Sequence, residues 1–354
     1  MNKGLTRRHI IQGAAGAAGL AMPAVWTGSR AFGAQSITVA DVGGAPGAAI
    51  KQAFYDPFQK ETGIQVVGVA HAADPTSQFK LCVDTKSYIW DVCMVDIGQV
   101  AFLSSPKNYL DPIGLTEADG KGFVSSMVTP VWLGFSVYGI IMAYRTDKFG
   151  DNGPKTWADY WDVTKFPGRR GMFKDAQGPL ECALMAAGVP KDKLYPLDLD
   201  LAFKMLDKIR PHIAVWWTSG AQNTQILEDG EVDLSDTWSA RATAAAESGA
   251  PVKIVWDGLY STDGWSIPIG SPRADLGRKF IRFCMQPDRQ GEYSSLVADG
   301  PTNLKAYDYI KPARASLLPT YPANLKNLAP YGDLWWATRI GPIEERFQNW
   351  LLSG

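Results

Sequence analysis

The chain has 354 residues, of which 35 are basic and 36 acidic, so its formal net charge is −1. This balance argues against nucleic acid as a partner, because phosphate binding needs clustered Lys and Arg. The three histidines and four cysteines show neither HExxH nor CxxC spacing, so the sequence predicts no metal site, no catalytic residue and no cofactor. The length suits one large or two ordinary domains.

The first 33 residues are predicted to be a twin-arginine export signal. Arg7 and Arg8 precede an apolar, acid-free stretch at 14–25, which is shorter than the roughly 20 apolar residues that a membrane-spanning helix needs. The small-x-small sequence at 31–33 offers a cleavage site. Cleavage there removes four basic residues and leaves 31 basic against 36 acidic residues, a net charge of −5. We therefore expect the twin-arginine machinery to export a soluble protein to the periplasm.

Strands and helices alternate in the segment that follows. Strands are predicted at 36–40, 64–69 and 91–96, with helices at 48–62 and 76–87 between them. Gly63 follows the first helix and is predicted to cap its end. Strands joined by helices of this length predict a parallel sheet.

A second block of alternating elements starts after a strand at 137–144. Thr156 is predicted to cap a helix. Further strands are predicted at 171–173, 213–217, 232–235, 252–256 and 265–269. Helices are predicted at 180–187, 199–209, 219–229, 237–248 and 272–285. Residues 305–354 read as loops and terminal helices.

Six phrases, in this order, resemble the bacterial solute-binding proteins of ABC importers. They are FQKETGIQV at 58–66, TWADYW at 156–161, GEVDL at 230–234 with a Trp at 238, the Asp at 263 with Ile-Pro at 267–268, FIRFCMQPD at 280–288 and PTN at 301–303. The order and the spacing are most similar to the spermidine/putrescine-binding branch. The resemblance spans nearly the whole chain after the export signal.

The resemblance implies an α/β, periplasmic-binding-protein-like fold with two lobes. Each lobe is expected to be a mixed, mainly parallel sheet flanked by helices, with a ligand cleft between the lobes. The expected boundaries are 35–143 plus 266–304 for the first lobe and 144–265 for the second. Residues 305–354 are expected to pack on the first lobe and the hinge. The implied protein is a monomer without catalysis that binds a small molecule and docks on the membrane permease of its transporter.

Acidic residues at strand ends mark the candidate site. Asp41, Asp96 and Asp175 each follow a predicted strand, and open α/β sheets bind ligands beyond the carboxyl ends of their strands. The resemblance places Asp175, Trp238 and Asp263 where the polyamine branch contacts its ligand. Asp41 and Asp96 fall where that branch has contact residues of other types.

The match departs from the polyamine branch at several contact positions. Gly178 stands where the branch has an acid, and Ser261 where it has an aromatic residue; glycines replace aromatic residues at 43–44 and 98. We therefore expect a small cationic or amine-type solute that is shorter than spermidine. The second hypothesis is an anionic or amino-acid-like solute, held by Arg241 and the helix N-terminus at Ser219-Gly220.

Each candidate also has a structural interpretation. An Asp at a strand end often caps the next helix, an Asp-Gly pair such as that at 263–264 often forms a turn, and Trp238 at the head of a helix can belong to the core. Arg241 can be a solvated helix residue, and of Trp216 and Trp217 one is expected to line the cleft. Ser219, Arg241 and Trp217 are therefore secondary candidates.

The cysteines leave two alternatives open. Cys82 and Cys93 fall on a predicted helix and the strand after it, a placement that allows a disulfide in an oxidising compartment. Buried free thiols fit the same placement.

Overall fold

The computed structural model describes residues 35–72 and 74–353, so the predicted export signal at 1–33 lies outside the described residues. The strands are β1 (Ser36–Asp41), β2 (Gln65–Ala70), β3 (Val92–Asp96), β4 (Leu110–Asp111), β5 (Leu133–Arg145), β6 (Arg170–Phe173), β7 (Ile213–Trp217), β8 (Leu234–Trp238), β9 (Val252–Pro268), β10 (Gly300–Pro301) and β11 (Leu328–Pro330). The helices are α1 (Gly44–Ile50), α2 (Asp56–Thr62), α3 (Thr76–Asp84), α4 (Ile97–Ser104), α5 (Thr146–Phe149), α6 (Trp157–Trp161), α7 (Pro179–Ala186), α8 (Leu199–Ile209), α9 (Gly220–Glu228), α10 (Ser239–Glu247), α11 (Ala274–Cys284), α12 (Pro287–Leu296), α13 (Pro312–Ala315), α14 (Pro322–Leu325), α15 (Asp333–Trp336) and α16 (Ile340–Leu352).

The strands form a mixed sheet in the order β2-β1-β3-β9-β5-β8-β6-β7. β1 pairs in parallel with β2 and β3, and β6 pairs in parallel with β7 and β8. β9 and β5 are antiparallel to each other and to β3 and β8, respectively. We call the half with β2, β1 and β3 the first lobe and the half with β8, β6 and β7 the second lobe. The predicted α/β fold is confirmed, with the parallel strands on both flanks and two long antiparallel strands between them.

The strand β9 corrects the prediction of two separate strands at 252–256 and 265–269. Its 17 residues run without a break through Asp257-Gly258 and through Asp263-Gly264, the pair for which a turn was the structural alternative. At Gly258 the register shifts against β5, and a Cβ there would lie 2.1 Å from the carbonyl oxygen of Ile140. Glycine is therefore needed for a close backbone approach at a bulge, not for a turn.

The second crossing between the lobes also starts earlier than the predicted segment at 265–269. Residues Asp263 to Ser266 already pair with β3, with Asp96 opposite Asp263. Asp263 therefore belongs to the central sheet, where a side chain on one face can meet its neighbours on β3 and β5. The remaining lobe boundaries stay a prediction.

The last helix corrects the expectation that all of 305–354 packs on the first lobe and the hinge. β11 does pair with β9 near the hinge, at Gly258–Tyr260. On α16, however, Phe347 and Trp350 contact Phe203 of α8 and Trp216 of β7, with ring centroids 5.9 to 6.5 Å apart. The apolar face of this amphipathic helix thus covers the second lobe.

Phe347→Ala should destabilise the protein by about 3–5 kcal/mol, because it leaves a cavity in a packed core. Phe347 is fully buried, whereas Leu352 on the same helix is 85% exposed. Leu352→Ala is therefore the matched control and should leave the free energy of unfolding nearly unchanged. Urea unfolding followed by tryptophan fluorescence measures both. Equal midpoints for the two variants would contradict this packing.

The four cysteines are free and buried, which settles the open alternative at Cys82 and Cys93 in favour of thiols. Burial raises the pKa of the Cys93 thiol well above its ordinary value. Among residues 35–72 and 74–353, no helix has the length and apolar character needed to cross a bilayer.

Candidate functional site

A cavity of about 420 Å³ lies where the two lobes meet. The first lobe contributes the turn after β1, the end of β3, part of β9 and the segment 293–299, and the second lobe contributes Trp238 and α10. Its volume is within the roughly 300–1,000 Å³ of small-molecule sites. The cavity lies beyond the carboxyl ends of β3 and β8, at the edge where open α/β sheets bind ligands.

The second-lobe wall consists of Trp238 and Arg241 at the start of α10. Trp238 is the last residue of β8, and its ring packs edge-on against those of Trp217 and Phe173 at 5.2 and 5.4 Å. The Ser239 hydroxyl accepts a hydrogen bond from the Gly139 amide of β5 at 2.9 Å, which fixes the start of the helix. Arg241 lies about one helical turn after Trp238 and therefore reaches the same cavity.

Arg241 is the one basic residue among those that line the cavity. Within residues 35–72 and 74–353, no carboxylate lies within ion-pairing distance of its guanidinium. The side chain passes over the backbone of Gly220, where a Cβ would lie 2.3 Å from Arg241 Nε. The glycine at the N-terminus of α9 thus leaves room for the Arg241 side chain.

The first-lobe wall carries Asp96 and Asp263, which lie opposite each other on β3 and β9. Asp96 also caps α4, since its Oδ1 accepts the Gln99 amide at 2.7 Å. Burial raises the pKa of Asp96 to about 6. Burial, and then the neighbouring Asp299 and Asp96, raise the pKa of Asp263 well above its usual range.

Asp299 belongs to the same cavity and was not among the sequence candidates. It is only 8% exposed, and its Oδ1 is buried without a hydrogen-bond partner among the described residues. Burial raises its pKa to about 7, although the nearby Arg241 acts in the opposite direction. Its position directly before the Gly-Pro-Thr-Asn stretch at 300–303 was the only hint in the sequence.

A second missed acid, Asp333, approaches from the C-terminal segment. Its Oδ1 accepts the Ser261 hydroxyl at 2.9 Å, and burial followed by repulsion from Asp96 raises its pKa well above the usual value. Burial and the three acids Asp263, Asp333 and Asp96 raise the pKa of Tyr138. Tyr138 therefore stands among these acids where β5 crosses between the lobes.

Asp41 does not line the cavity but organises the turn beside it. Its Oδ1 accepts the Gly43 amide at 2.7 Å and its Oδ2 accepts the Tyr55 hydroxyl at 2.6 Å. The turn carries Val42 and Pro46, which do line the cavity. The structural interpretation of Asp41 therefore replaces the predicted ligand contact.

Asp175 also lies outside the cavity lining. Its Oδ1 accepts the Gln177 amide at 2.8 Å, and Glu344 of α16 accepts the Ala176 amide beside it at 2.8 Å. Burial, and then the charge and hydrogen bond of Glu344, raise the pKa of Asp175 to about 6. Helix α16, which packs on the second lobe, thus supplies the neighbour of this acid.

The secondary candidates Ser219 and Trp217 have structural roles. Ser219 is exposed and caps α9 by accepting the Gln222 amide at 3.2 Å. Trp217 is 1% exposed and donates its indole N–H to Asp236 at 2.7 Å. Neither side chain lines the cavity, so the structure brings together Asp96, Trp238, Arg241 and Asp263 of the sequence candidates.

Across the part of the chain that the structure describes, no group of three or more His, Cys, Asp or Glu side chains is arranged to hold a metal ion. The arrangement is suited to organic charges: a guanidinium and an indole lie on the second-lobe wall, with Glu247 at the end of the same helix, and the other carboxyl groups lie on the first-lobe wall.

Comparison with known proteins agrees with this geometry. Residues 53–320 match the family described as bacterial extracellular solute-binding protein. The chain is 34% identical to the gamma-aminobutyric acid-binding protein of Pseudomonas aeruginosa, over 89% of this chain and 91% of that protein. It is 24% identical to the spermidine/putrescine-binding periplasmic protein of Escherichia coli, over 83% and 86% of the two chains.

Solved structures show the same fold along nearly the whole length. An ABC transporter substrate-binding protein from Bradyrhizobium japonicum has a TM-score of 0.83 and 35% identity, over 90% of this chain and 99% of that chain. A structure described as a GABA receptor has a TM-score of 0.81 and 30% identity, over 90% and 98%. The resemblance noted in the sequence is thereby confirmed, and the chain belongs to the bacterial extracellular solute-binding proteins, the ligand-capturing components of ABC importers.

Proposed function

We propose that the protein is the receptor for a small amino-acid-like solute in which an ammonium and a carboxylate are separated by a short apolar chain. γ-Aminobutyrate is the reference ligand for this class. In this proposal the ligand carboxylate pairs with Arg241 and the ammonium with Asp263 and Asp96. The chain between them packs on Trp238 and Tyr138.

One observation carries the proposal: among the described residues, a single guanidinium without an ion-pair partner shares a cavity with a wall of carboxyl groups. A buried charge is costly unless it is paired, and guanidinium groups recognise carboxylates in a planar, two-bonded geometry. The acids opposite require a cation, for which an aromatic face adds attraction. A zwitterion satisfies both walls at once.

The comparisons support this choice over a polyamine. The two relatives named for γ-aminobutyrate are 34% and 30% identical to this chain, whereas the polyamine-binding protein is 24% identical. A diamine would place its second ammonium near Arg241, which repels it. The proposed ligand therefore combines the amine of the first hypothesis with the carboxylate of the second hypothesis.

The proposed transport steps are those of other solute-binding proteins of ABC importers. The exported protein captures its solute in the periplasm as a monomer, the lobes close, and the complex docks on the membrane permease. The export signal at 1–33 directs it through the twin-arginine machinery in this proposal. It has no catalytic activity of its own.

A thermal-shift series of four-carbon compounds tests the ligand class. γ-Aminobutyrate should raise the melting temperature more than butyrate, n-butylamine or putrescine, because each of these lacks one of the two charges. The stabilisation should grow with ligand concentration as RT ln(1 + [L]/Kd). If putrescine raised the melting temperature more than γ-aminobutyrate, the polyamine hypothesis would be favoured again. If butyrate alone raised it, the cavity would not recognise an amine.

Gly220→Ala should weaken γ-aminobutyrate binding by about tenfold, the effect of roughly 1.4 kcal/mol. The new Cβ would clash with Arg241 Nε and Cζ, and the end of the long side chain can give way without unfolding the helix. Gly341 is also in the first turn of a helix, and a Cβ there meets nothing within 4 Å. Gly341→Ala is therefore the control in calorimetry, and equal affinities of the two variants would argue against the Arg241 contact.

A further inference from the structure

The two lobes are also joined by an ion pair between Glu247, which lines the cavity, and Arg314, which lies outside the lining. Arg314 Nη1 lies 3.0 Å from Glu247 Oε1, and Nη2 donates one hydrogen bond to Oε2 at 3.3 Å. Glu247 is the last residue of α10, and Arg314 is in the short helix α13.

The helix α13 is fixed to the first lobe. Ala315 and Leu318 pack with Ala298 and Ile310 in one apolar cluster. The Thr320 hydroxyl donates to the Pro301 carbonyl of β10 at 3.0 Å, and β10 pairs with β5. Arg314 is therefore held on the first lobe independently of α10.

The helix α10 belongs to the second lobe and carries Arg241. Its residues Ala240, Ala244 and Glu247 recur at helical spacing and all line the cavity. Ala240 packs against the α13 cluster, so small side chains let the two lobes approach closely here. At the far end of the same face, Glu247 directs its carboxylate to Arg314.

The ion pair is partly shielded from water in this conformation. The Arg314 side chain is 19% exposed and that of Glu247 is 48% exposed. Arg314 Nη1 is buried and makes no hydrogen bond among the described residues, so its contact with Glu247 is electrostatic. Removing Glu247 leaves the shielded Arg314 guanidinium without its partner where the two lobes meet, a change that acts mainly on dissociation.

We infer that Glu247 and Arg314 form a latch, a pair of positioning residues that holds α10, with Trp238 and Arg241, against the first lobe. The latch acts through α10, and its Arg314 side lies outside the cavity lining. It slows ligand release without setting ligand selectivity. The inference rests on the proposed function only for the choice of probe ligand.

Stopped-flow measurements with γ-aminobutyrate test the latch. Glu247→Gln and Arg314→Gln should each raise the dissociation rate constant by about tenfold, with the association rate constant changed less than about twofold. In Arg314→Gln, which changes a side chain outside the cavity lining, the preference for γ-aminobutyrate over butyrate should stay unchanged. The double variant Glu247→Gln/Arg314→Gln should dissociate no faster than the single variants, because the two residues act as one pair.

Two further variants separate the latch from a general structural effect. The reversed pair Glu247→Arg/Arg314→Glu should restore most of the slow dissociation. Arg346→Gln breaks the Arg346–Asp200 pair, which joins α16 to α8 at 2.8 Å within the second lobe, and should leave both rate constants unchanged. Unchanged dissociation in Glu247→Gln, or equal acceleration in Arg346→Gln, would overturn the latch.

The latch and the proposed ligand can fail separately. If putrescine binds and γ-aminobutyrate does not, the proposed function fails, and the same rate effects measured with putrescine still support the latch. Small-angle scattering of the unliganded protein gives a readout without any ligand. Glu247→Gln should have a larger radius of gyration than the unmodified protein, and equal radii would count against the latch.

Discussion

Arg241→Gln is expected to weaken γ-aminobutyrate binding by about 10²- to 10³-fold. The substitution leaves the ligand carboxylate buried opposite acids without its cationic partner, and removal of one partner from a buried ion pair costs about 3–5 kcal/mol. Binding of n-butylamine, which has no carboxylate, should be retained. Isothermal titration calorimetry with both compounds measures the difference.

Asp263→Asn should give the opposite pattern and supplies the first control. It removes a partner of the ammonium, so γ-aminobutyrate and n-butylamine should both bind more weakly, while butyrate should not. The comparison of the two variants is informative because both side chains line the same cavity from different lobes. If the two variants changed the binding of n-butylamine and butyrate equally, Arg241 would not be the partner of the carboxylate and Asp263 would not be the partner of the ammonium.

Asp175→Asn supplies the second control, since family resemblance and structure disagree on this residue. The resemblance implies a ligand contact, whereas the structure places Asp175 beside Glu344 and outside the cavity lining. We expect unchanged affinity for γ-aminobutyrate in Asp175→Asn. A hundredfold loss there would favour the implied contact over the observed cavity.

Local sequence patterns were enough to predict most strands, and with them the acids at strand ends. Asp96 and Trp238 end strands in the expected order, and both line one cavity, as the rule that ligands bind beyond carboxyl ends predicts. Asp41 and Asp175 also follow strands but lie outside the cavity lining, because a strand-end carboxylate can instead bind the backbone amides of the next turn. The rule cannot tell which of these two roles a given carboxylate takes.

Long-range contacts account for the residues that the sequence did not reveal. Asp299 and Asp333 reach the cavity region only because the chain returns from α12 and from α15, far along the sequence. The unbroken strand β9 has the same origin: local Asp-Gly pairs favour turns, but pairing with β3 and β5 along its length outweighs that preference. Such effects depend on tertiary contacts that no local pattern contains.

The affinity for γ-aminobutyrate is expected to fall by at least about tenfold as the pH drops from about 8 to about 5, given pKa values near 6 and 7 at the site. Burial raises the pKa of Asp299 to about 7 and that of Asp96 to about 6. Burial, and then repulsion from Asp299 and Asp96, raise the pKa of Asp263 above its usual range. Arg241 is the only opposing charge that lines the cavity. The ammonium of the ligand binds the ionised carboxylates, so each carboxyl that must lose its proton makes binding weaker below its pKa.

The ligand itself does not titrate in this window, because its carboxyl and amine resemble the side chains of Glu and Lys. The stability of the unliganded protein depends on pH in the opposite direction from ligand affinity. A carboxyl whose folded pKa is raised holds a proton that the unfolded chain releases, so its stabilising contribution is present at low pH and is lost as the pH rises through the folded value. The unliganded protein should therefore lose this contribution between about pH 4 and 7, while ligand binding becomes stronger.

Asp299→Asn separates the acid cluster from other titrating groups. The amide cannot ionise and cannot take up or release the proton, so the slope of log Kd against pH should become shallower between about pH 6 and 8, the range around the pKa of Asp299. Calorimetry in buffers of different ionisation enthalpy should show protons released on binding to the unmodified protein and fewer released from Asp299→Asn. Asp308→Asn, at an exposed acid outside the cavity lining, should retain the original slope. A pH-independent Kd for the unmodified protein would mean that the cavity acids are already ionised before the ligand arrives, and that burial does not hold their protons.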